Sequence, residues 1–205
     1  MTLAKFDPRN ITQYKEPRFL VHFQWGKSEK VYRYALVEII NQGAIDHKTK
    51  QKDDEIGLSQ KEIWEKMLRP KWSYTGGGTS RNRFWHMDGL EKEKYFSEYL
   101  YEIICKKLDK KFTSIGRIYA NGQTVGQNGS IHSDDGEMTF IYYPNLEWKT
   151  EYQGNLNFYH NREIIETVIY KSNRAILFPS HMIHGAEAPT GKEQLRVSLA
   201  YKFYM

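Results

Sequence analysis

The carboxy-terminal half of the chain alternates short apolar runs with turn residues, and this pattern constrains the fold more than any other feature. Runs rich in β-branched and aromatic residues, bounded by Gly, Asn and Pro, predict short β-strands. They lie at residues 114–119, 138–143, 154–159, 164–170, 175–178 and 194–204. So many short strands within roughly ninety residues predict a β-sandwich or barrel.

The first half of the chain predicts helices and loops instead. Its strongest helical pattern runs from 89 to 110, with apolar residues at spacings of three and four and Asp88 as a candidate N-cap. A capping-box pattern at 59–62 predicts a helix through Leu68 that ends before Pro70. The remaining predictions are a short strand over 19–25, a helix over 28–42, and exposed or flexible loops over 46–55 and 72–83.

Helices first and strands after indicate an α+β, mainly β, protein in which helices buttress one face of the barrel. A length of 205 residues suits a single domain. We therefore expect residues 1–111 to be mostly helical support and loops, and 112–205 to form the β core.

The lack of a recognisable targeting segment and the presence of a single cysteine predict a cytoplasmic protein. No apolar run approaches the roughly 20 residues needed to span a bilayer, and the first residues lack the apolar stretch of a signal peptide. The single cysteine, Cys105, lies among apolar helical neighbours and is predicted to be a packing residue, which agrees with a reducing compartment.

The net charge of +5 is mild and its basic residues are dispersed, which favours an ordinary solvated surface. Attraction of an anionic cosubstrate, an acidic protein partner or nucleic acid stays open. Trp72, Tyr74 and Trp85, near Arg81 and Arg83, could stack on nucleobases or form a hydrophobic lid at the edge of the core.

A candidate metal site combines His132 and Asp134 with a histidine about fifty residues later. Residues i and i+2 of a strand point to the same side, so His132 and Asp134 can bind one ion together. A strand-like run at 174–179 leads the chain to His184, and His181 is the competing ligand. Two histidines and one carboxylate occupy one face of an octahedral Fe(II) ion and leave the other positions open.

Four segments, in a fixed order, carry a family resemblance. They are the His-x-Asp of 132–134, the Tyr-Tyr strand and turn of 139–148, the Gly-x-Leu-x-Phe strand of 153–158, and the segment 175–198 with His184 and Arg196. Together they resemble the Fe(II)- and 2-oxoglutarate-dependent oxygenases of the prolyl-hydroxylase type, including the oxygen-sensing prolyl hydroxylases. The match covers roughly residues 114–204 and implies a double-stranded β-helix, a jelly-roll or cupin-like barrel.

The resemblance also implies roles for individual residues. His132, Asp134 and His184 would bind the metal, and Arg196 would bind the distal carboxylate of 2-oxoglutarate, since a guanidinium fork matches a carboxylate. The alternative for Arg196 is an outward-facing surface ion pair. The further candidates for cosubstrate contacts are Ser198 and Tyr143, Leu156 in the cavity wall, and Asn121 or Gln123 in a predicted loop over 119–130. Tyr143 and Leu156 could equally be core residues.

The implied activity is hydroxylation of a C–H bond with release of succinate and CO₂, using Fe(II), 2-oxoglutarate and O₂, with ascorbate as a further candidate. A protein or peptide side chain such as proline is the first choice of substrate; a nucleobase or a small molecule is less favoured. Arg196 stands where collagen-type prolyl hydroxylases carry lysine, and Asp134 is the carboxylate that halogenases of this superfamily lack. A non-catalytic metal-binding module is the rival hypothesis. We expect a monomer or homodimer that does not act at a membrane.

Overall fold

The computed structural model describes residues 19–20, 36–40, 54–75, 82–191 and 193–205. Within these ranges the strands are β1 Phe19–Leu20, β2 Leu36–Ile40, β3 Ser73–Tyr74, β4 Trp85–Met87, β5 Ser114–Gln123, β6 Met138–Tyr143, β7 Leu156–His160, β8 Glu163–Val168, β9 Arg174–Pro179, β10 His184–Ala186 and β11 Arg196–Tyr204. The helices are α1 Asp54–Met67 and α2 Tyr101–Leu108, with a π-helical segment at Tyr95–Leu100 and 3₁₀ turns at Leu90–Lys92 and Thr150–Tyr152.

Two antiparallel sheets form the β core of the molecule. The larger has the strand order β1-β2-β9-β6-β11-β5-β4-β3, and the smaller has the order β10-β7-β8. Aromatic and aliphatic side chains of both sheets, including Tyr143, Phe158 and Phe178, pack together in one buried cluster. This arrangement is the double-stranded β-helix that the sequence predicted, so that prediction is confirmed.

All six predicted strands are confirmed, with small shifts of their ends. β6 has the predicted limits, whereas β5 continues beyond residue 119 to Gln123. The segment 119–123 therefore belongs to the sheet rather than to a loop. The short strands β4 and β10 escaped prediction because three residues carry too little periodicity.

The side chains of strand β11 point alternately to the two faces of the larger sheet. Side chains alternate along a strand, and one side of β11 contributes Val197, Leu199, Tyr201 and Phe203 to the core beneath the helices. Its other side faces a cavity with Arg196, Ser198, Ala200 and Lys202. The alternation within this one strand thus divides the structural core from the candidate functional site.

The predicted helix over 28–42 is wrong at residues 36–40, which form strand β2. This strand pairs with β9, Val37 lying opposite Leu177. Short apolar runs suit a helix and a strand alike, and β-branched residues such as Val37 and Ile39 favour the strand once a partner is available. The rest of 28–42, and residues 21–25 of the predicted first strand, lie outside the described residues.

Helix α1 begins at Asp54, earlier than the capping-box pattern at 59–62 predicted. The loop predicted over 46–55 is therefore wrong at its last two residues, and 46–53 lie outside the described residues. Acidic residues in a first helical turn complement the helix dipole, which favours a start at Asp54. The helix ends at Met67, before Pro70, as predicted. Within the predicted loop 72–83, residues 73–74 form β3, and 76–81 are not described.

The helix predicted over 89–110 is confirmed as helical, in three consecutive segments. Asp88 does not cap it: Gly89 precedes the first turn at φ +72°, and the Asp88 carboxylate pairs with Arg117. Cys105 is buried on α2, as predicted for a packing residue. In the part of the chain that the structure describes, no helix has the length and apolar character to cross a membrane.

The amino-terminal half contributes strands as well as helical support. β1 and β2 extend one end of the larger sheet, and β3 and β4 extend the other. On the outer face, Phe96, Leu100 and Ile104 pack against side chains of β11 and β5. The expectation of mostly helices and loops below residue 112 did not include the short strands β2, β3 and β4, because strand pairing across the sheet is non-local.

Candidate active site

His132, Asp134 and His184 converge on one point of the barrel. His132 and His184 form an antiparallel bridge, with backbone hydrogen bonds of 2.9 and 2.8 Å in the two directions. Potential ligand atoms of the three side chains lie within 4.8 Å of one another. The two histidines are far apart in sequence, and this bridge sets their imidazoles side by side.

The two imidazoles, whose planes are tilted by 48°, each place Nδ1 against a backbone carbonyl. His132 Nδ1 lies 2.9 Å from the Ser130 carbonyl oxygen, and His184 Nδ1 lies 2.8 Å from that of Met182. A carbonyl only accepts, so each Nδ1 carries a proton and donates it. In the neutral ring, Nε2 then presents its lone pair towards the shared point, which is the arrangement that outer hydrogen bonds impose on metal-binding histidines.

Asp134 lies between the two rings. Its Oδ1 is 3.2 Å from His132 Nε2 and its Oδ2 is 3.3 Å from His184 Nε2. Neighbouring ligands of an octahedral ion with bonds of about 2.1 Å are separated by about 3 Å, so these spacings suit a shared ion. Burial disfavours the charged carboxylate, but hydrogen bonds from the two imidazoles, formed when Nε2 carries a proton, and the Lys202 charge outweigh it and lower the pKa of Asp134.

Arg196 provides a second chemical group in the same region. It is only 1% exposed, and its Nε and Nη1 donate to the Gly154 carbonyl oxygen at 2.6 Å and to Gln123 Oε1 at 2.8 Å. Its guanidinium carbon lies 5.2 and 5.0 Å from the ring centroids of Tyr143 and Tyr170. Arg196 forms no ion pair with any residue that the structure describes. A buried cation with neutral partners alone is a site for an anion.

A cavity of about 650 Å³ joins the histidine–aspartate cluster to Arg196. Most of the residues that the sequence singled out line it: His132, Asp134, His184, Arg196, Ser198, Leu156, Asn121 and Gln123. Tyr143 does not line it; this fully buried ring stacks on Tyr170 at 4.1 Å and supports Arg196 from behind. Tyr142 points to the other face of the sheet, towards the helices.

The two candidates in segment 119–130 have different partners. Gln123 accepts from Arg196 and donates from Nε2 to the Gln127 carbonyl oxygen at 2.7 Å. Asn121 Oδ1 lies 2.7 Å from His86 Nδ1. Gln123 thus belongs to the arginine end of the cavity, and Asn121 to the wall formed with β4.

The competing ligand His181 is exposed and does not join the cluster. Ser180, Met182 and His184 are buried whereas His181 and Ile183 are exposed, so the alternation of side chains directs His181 outward. The geometry groups His184, and not His181, with His132 and Asp134.

The cavity residues that were not predicted include His86, Arg117, Tyr119 and Lys202. The signal was present for three of them, since 117, 119, 121 and 123 share one face of β5 and 196 and 202 share one face of β11. Arg117 forms hydrogen bonds of 2.9 and 3.0 Å with the two carboxylate oxygens of Asp88, and its guanidinium lies 4.7 Å from the Tyr119 ring. His86 lies on β4, whose pairing with β5 no local pattern revealed.

Comparisons with known proteins agree with this site. Residues 118–204 match the family model described as the 2OG-Fe(II) oxygenase superfamily. No curated protein shows significant sequence similarity to the chain.

Among solved structures, the chain is similar to a prolyl hydroxylase from Trichoplax adhaerens in complex with a peptide fragment of the hypoxia-inducible factor oxygen degradation domain. The identity is 18% over 74% of this chain and 77% of that one, with a TM-score of 0.51. A prolyl-4-hydroxylase from Pseudomonas putida is 14% identical over 74% and 87% of the two chains, with a TM-score of 0.50. The α-ketoglutarate-dependent epimerase SnoN from nogalamycin biosynthesis is 11% identical over 82% and 78%, with a TM-score of 0.55.

Identities this low establish the fold alone. The family model adds the cofactors, since its members use Fe(II), 2-oxoglutarate and O₂. The His-Asp-His cluster lies within the matched residues and offers the ligand types that Fe(II) accepts. Residues 118–204 of this chain therefore match the 2OG-Fe(II) oxygenase superfamily in sequence, in fold and in the types of metal ligand.

Proposed function

We propose that the chain hydroxylates a C–H bond of a protein side chain, with proline as the first candidate, and converts 2-oxoglutarate to succinate and CO₂. The observation that carries this proposal is one cavity that joins a two-histidine, one-carboxylate cluster to a buried arginine without an ion-pair partner among the described residues. A non-catalytic module would not need both groups in one cavity.

The side chains present fit an Fe(II) ion. His132 Nε2, His184 Nε2 and one oxygen of Asp134 would hold it, because neutral imidazole and carboxylate suit this metal. The hydrogen bonds from each Nδ1 to a backbone carbonyl fix the rings and make Nε2 a better ligand.

The other end of the cavity fits the distal carboxylate of 2-oxoglutarate. Arg196 would bind it as a planar fork, since its buried charge has neutral partners only among the described residues. Ser198 lies two positions along the same face and lines the same cavity, so its hydroxyl can add a hydrogen bond. The Tyr143 ring would act from behind, by holding the guanidinium in place.

Fe(II) and 2-oxoglutarate, when bound here, would supply oxygen activation coupled to decarboxylation. The chain would orient these groups and limit access of water. Ile141, Leu156 and Ala200 give the inner cavity an apolar wall between the two polar ends. Burial raises the pKa of Tyr119, which keeps its hydroxyl a neutral hydrogen-bond donor in this wall.

A peptide substrate is supported by the open side of the cavity. The His132 side chain is 46% exposed, so one candidate ligand lies where a macromolecule can reach it. Ile131 and Ile183, next to the two histidines in sequence, are exposed and offer apolar contacts beside the opening. The solved prolyl hydroxylase with a bound peptide has the same fold.

A small molecule is the second candidate, since the cavity volume of about 650 Å³ is within the usual range for small-molecule sites. A nucleobase has less support. Trp72 is half-buried against the outer core, and its indole donates to the Met67 carbonyl oxygen at 2.7 Å. This placement suits the hydrophobic edge that the sequence offered as the alternative to stacking.

The proposal is tested by incubating the chain with Fe(II), 2-oxoglutarate and O₂, together with a panel of proline-containing peptides and matched peptides with alanine in place of proline. We expect succinate from the 2-oxoglutarate and the gain of one oxygen atom by the proline peptides alone, measured by mass spectrometry. Succinate without any modified peptide, but with a modified nucleoside or small molecule, would overturn the choice of substrate. If no succinate forms under any condition, the proposed enzymatic activity is contradicted.

Gly154 supplies a further prediction, because its backbone supports Arg196. It has φ +80°, and a Cβ here would lie 3.0 Å from Arg196 Cδ. We expect Gly154→Ala to lower the unfolding free energy by about 1–2 kcal/mol through backbone strain, and to weaken 2-oxoglutarate binding by displacing the guanidinium. Urea unfolding and calorimetric titration of 2-oxoglutarate measure the two effects.

Gly126 provides the matched control. It has φ +81° but nothing within 4 Å of its would-be Cβ. Gly126→Ala should show the same backbone strain with unchanged 2-oxoglutarate affinity. Equal affinities in the two variants would show that Gly154 does not position Arg196.

A further inference from the structure

Lys202 places a buried positive charge beside the candidate metal ligands. It lies on β11 opposite Thr139 of β6 and Arg117 of β5, and its side chain is 7% exposed. Because it shares the inward face with Arg196, the strand directs it into the cavity rather than to solvent. The proposed metal and cosubstrate sites do not require a cation here.

The Lys202 ammonium binds one particular oxygen of Asp134. Its Nζ forms an ion pair with Oδ2 and donates to Thr139 Oγ1 at 3.2 Å. The Thr139 hydroxyl in turn donates to the same Oδ2 at 2.9 Å and accepts from Ser180 Oγ at 3.0 Å. Two donors therefore hold Oδ2, whereas Oδ1 faces His132.

The charges of this region pair in a defined way. Arg117, the neighbouring cation across the strand pair, is held by Asp88. The Asp134 carboxylate, 5% exposed, is the acidic partner of Lys202 among the described residues. The buried charges of Lys202 and Asp134 are each costly without the other, so the ion pair holds the Asp134 side chain in place.

We propose that Lys202 is a positioning residue that competes with the metal ion for Asp134, stabilising the cluster before metal binds and weakening metal affinity. This inference rests on the metal centre proposed above. A divalent ion on Asp134 would approach the ammonium, and like charges that share one carboxylate repel each other. The ion pair with Lys202 therefore stabilises Asp134 most when no metal ion is bound and least when one is bound.

The experiment measures Mn²⁺ binding by isothermal titration calorimetry and thermal unfolding with a chelator or with Mn²⁺. Lys202→Met keeps the length of the side chain and removes its charge. We expect it to bind Mn²⁺ about tenfold more tightly than the wild type, which is the size of effect that one such charge contact can produce. Its melting temperature with chelator should fall, and its rise on adding Mn²⁺ should be larger than in the wild type, because tighter binding stabilises the fold more.

Two control variants separate charge from packing. Lys202→Arg keeps the charge and should bind Mn²⁺ as the wild type does. Lys149→Met removes a lysine whose side chain is 68% exposed, outside the cavity, and should change neither quantity. A merely structural Lys202 would lower the melting temperature equally with chelator and with Mn²⁺ and leave the Mn²⁺ affinity unchanged, which would overturn the proposal.

The remaining outcomes also support or contradict the proposal. Weaker Mn²⁺ binding by Lys202→Met would overturn the competition, because Lys202 would then assist the metal. If Lys202→Met folds only when Mn²⁺ is present, the result supports the proposal. If it folds in neither condition, Lys202→Gln decides by the same affinity criterion. A wild-type chain that binds no Mn²⁺ would instead overturn the metal centre itself.

Discussion

Replacing His184 by alanine is expected to abolish turnover of 2-oxoglutarate, whereas replacing His181 should leave it unchanged. His184 is buried and its Nε2 faces Asp134, while His181 is exposed and outside the cluster. Removal of an outer partner of a metal ligand already costs about 10- to 100-fold, so loss of the ligand itself should cost at least about 100-fold. Succinate formation and calorimetric Mn²⁺ binding measure the effect.

The His184 variant needs a check on its fold. The ring packs on Phe178 at a centroid distance of 4.8 Å, so its removal leaves a small gap in the core. Thermal unfolding in the presence of chelator should show a folded protein with a modest loss of stability. Turnover that survives in His184→Ala, or that is lost in His181→Ala, would contradict the proposed ligand set.

Replacing Arg196 by leucine should weaken 2-oxoglutarate binding by about 100-fold, which corresponds to the loss of about 3 kcal/mol from a pair of charge-assisted hydrogen bonds. The guanidinium is buried, and all its partners among the described residues are neutral. An anionic ligand would therefore interact with the full positive charge of Arg196. Calorimetric titration of 2-oxoglutarate into the Mn²⁺-loaded protein measures the change, with Mn²⁺ affinity as an internal check.

Arg196→Lys is the matched variant. Lysine keeps the charge but loses the planar fork, so we expect an affinity between those of the wild type and the leucine variant. In Arg196→Leu, Gly154 and Gln123 also lose a donor, and unfolding measurements separate this loss of stability from the loss of binding. An unchanged 2-oxoglutarate affinity in a folded Arg196→Leu would place the cosubstrate elsewhere.

Much of the candidate site was predictable from the sequence because several of its residues lie only two positions apart in the chain. His132 and Asp134 lie two residues apart and point into one cavity, and the alternation of β11 places Arg196 and Ser198 on the same inward face. The same rule, applied further along each strand, would have found Tyr119 and Lys202.

Other parts of the site and fold needed partners that no local pattern reveals. His86 reaches the cavity only because β4 pairs with β5, and the choice of His184 over His181 follows from its bridge with His132. Strand β2 was predicted as a helix because a short apolar run has no preference until β9 offers its backbone.

The sequence by itself determined six strands of the carboxy-terminal half and their apolar faces, because these follow from periodicity. The family resemblance named the side chains that can bind a metal and a carboxylate. Only the tertiary structure decided which strands are neighbours, and with them the pairing of Lys202 with Asp134 and the joining of both groups in one cavity. The physical reason is that hydrogen-bonded strand pairing and buried charge pairs connect residues distant in sequence, so their partners are fixed by packing of the whole domain.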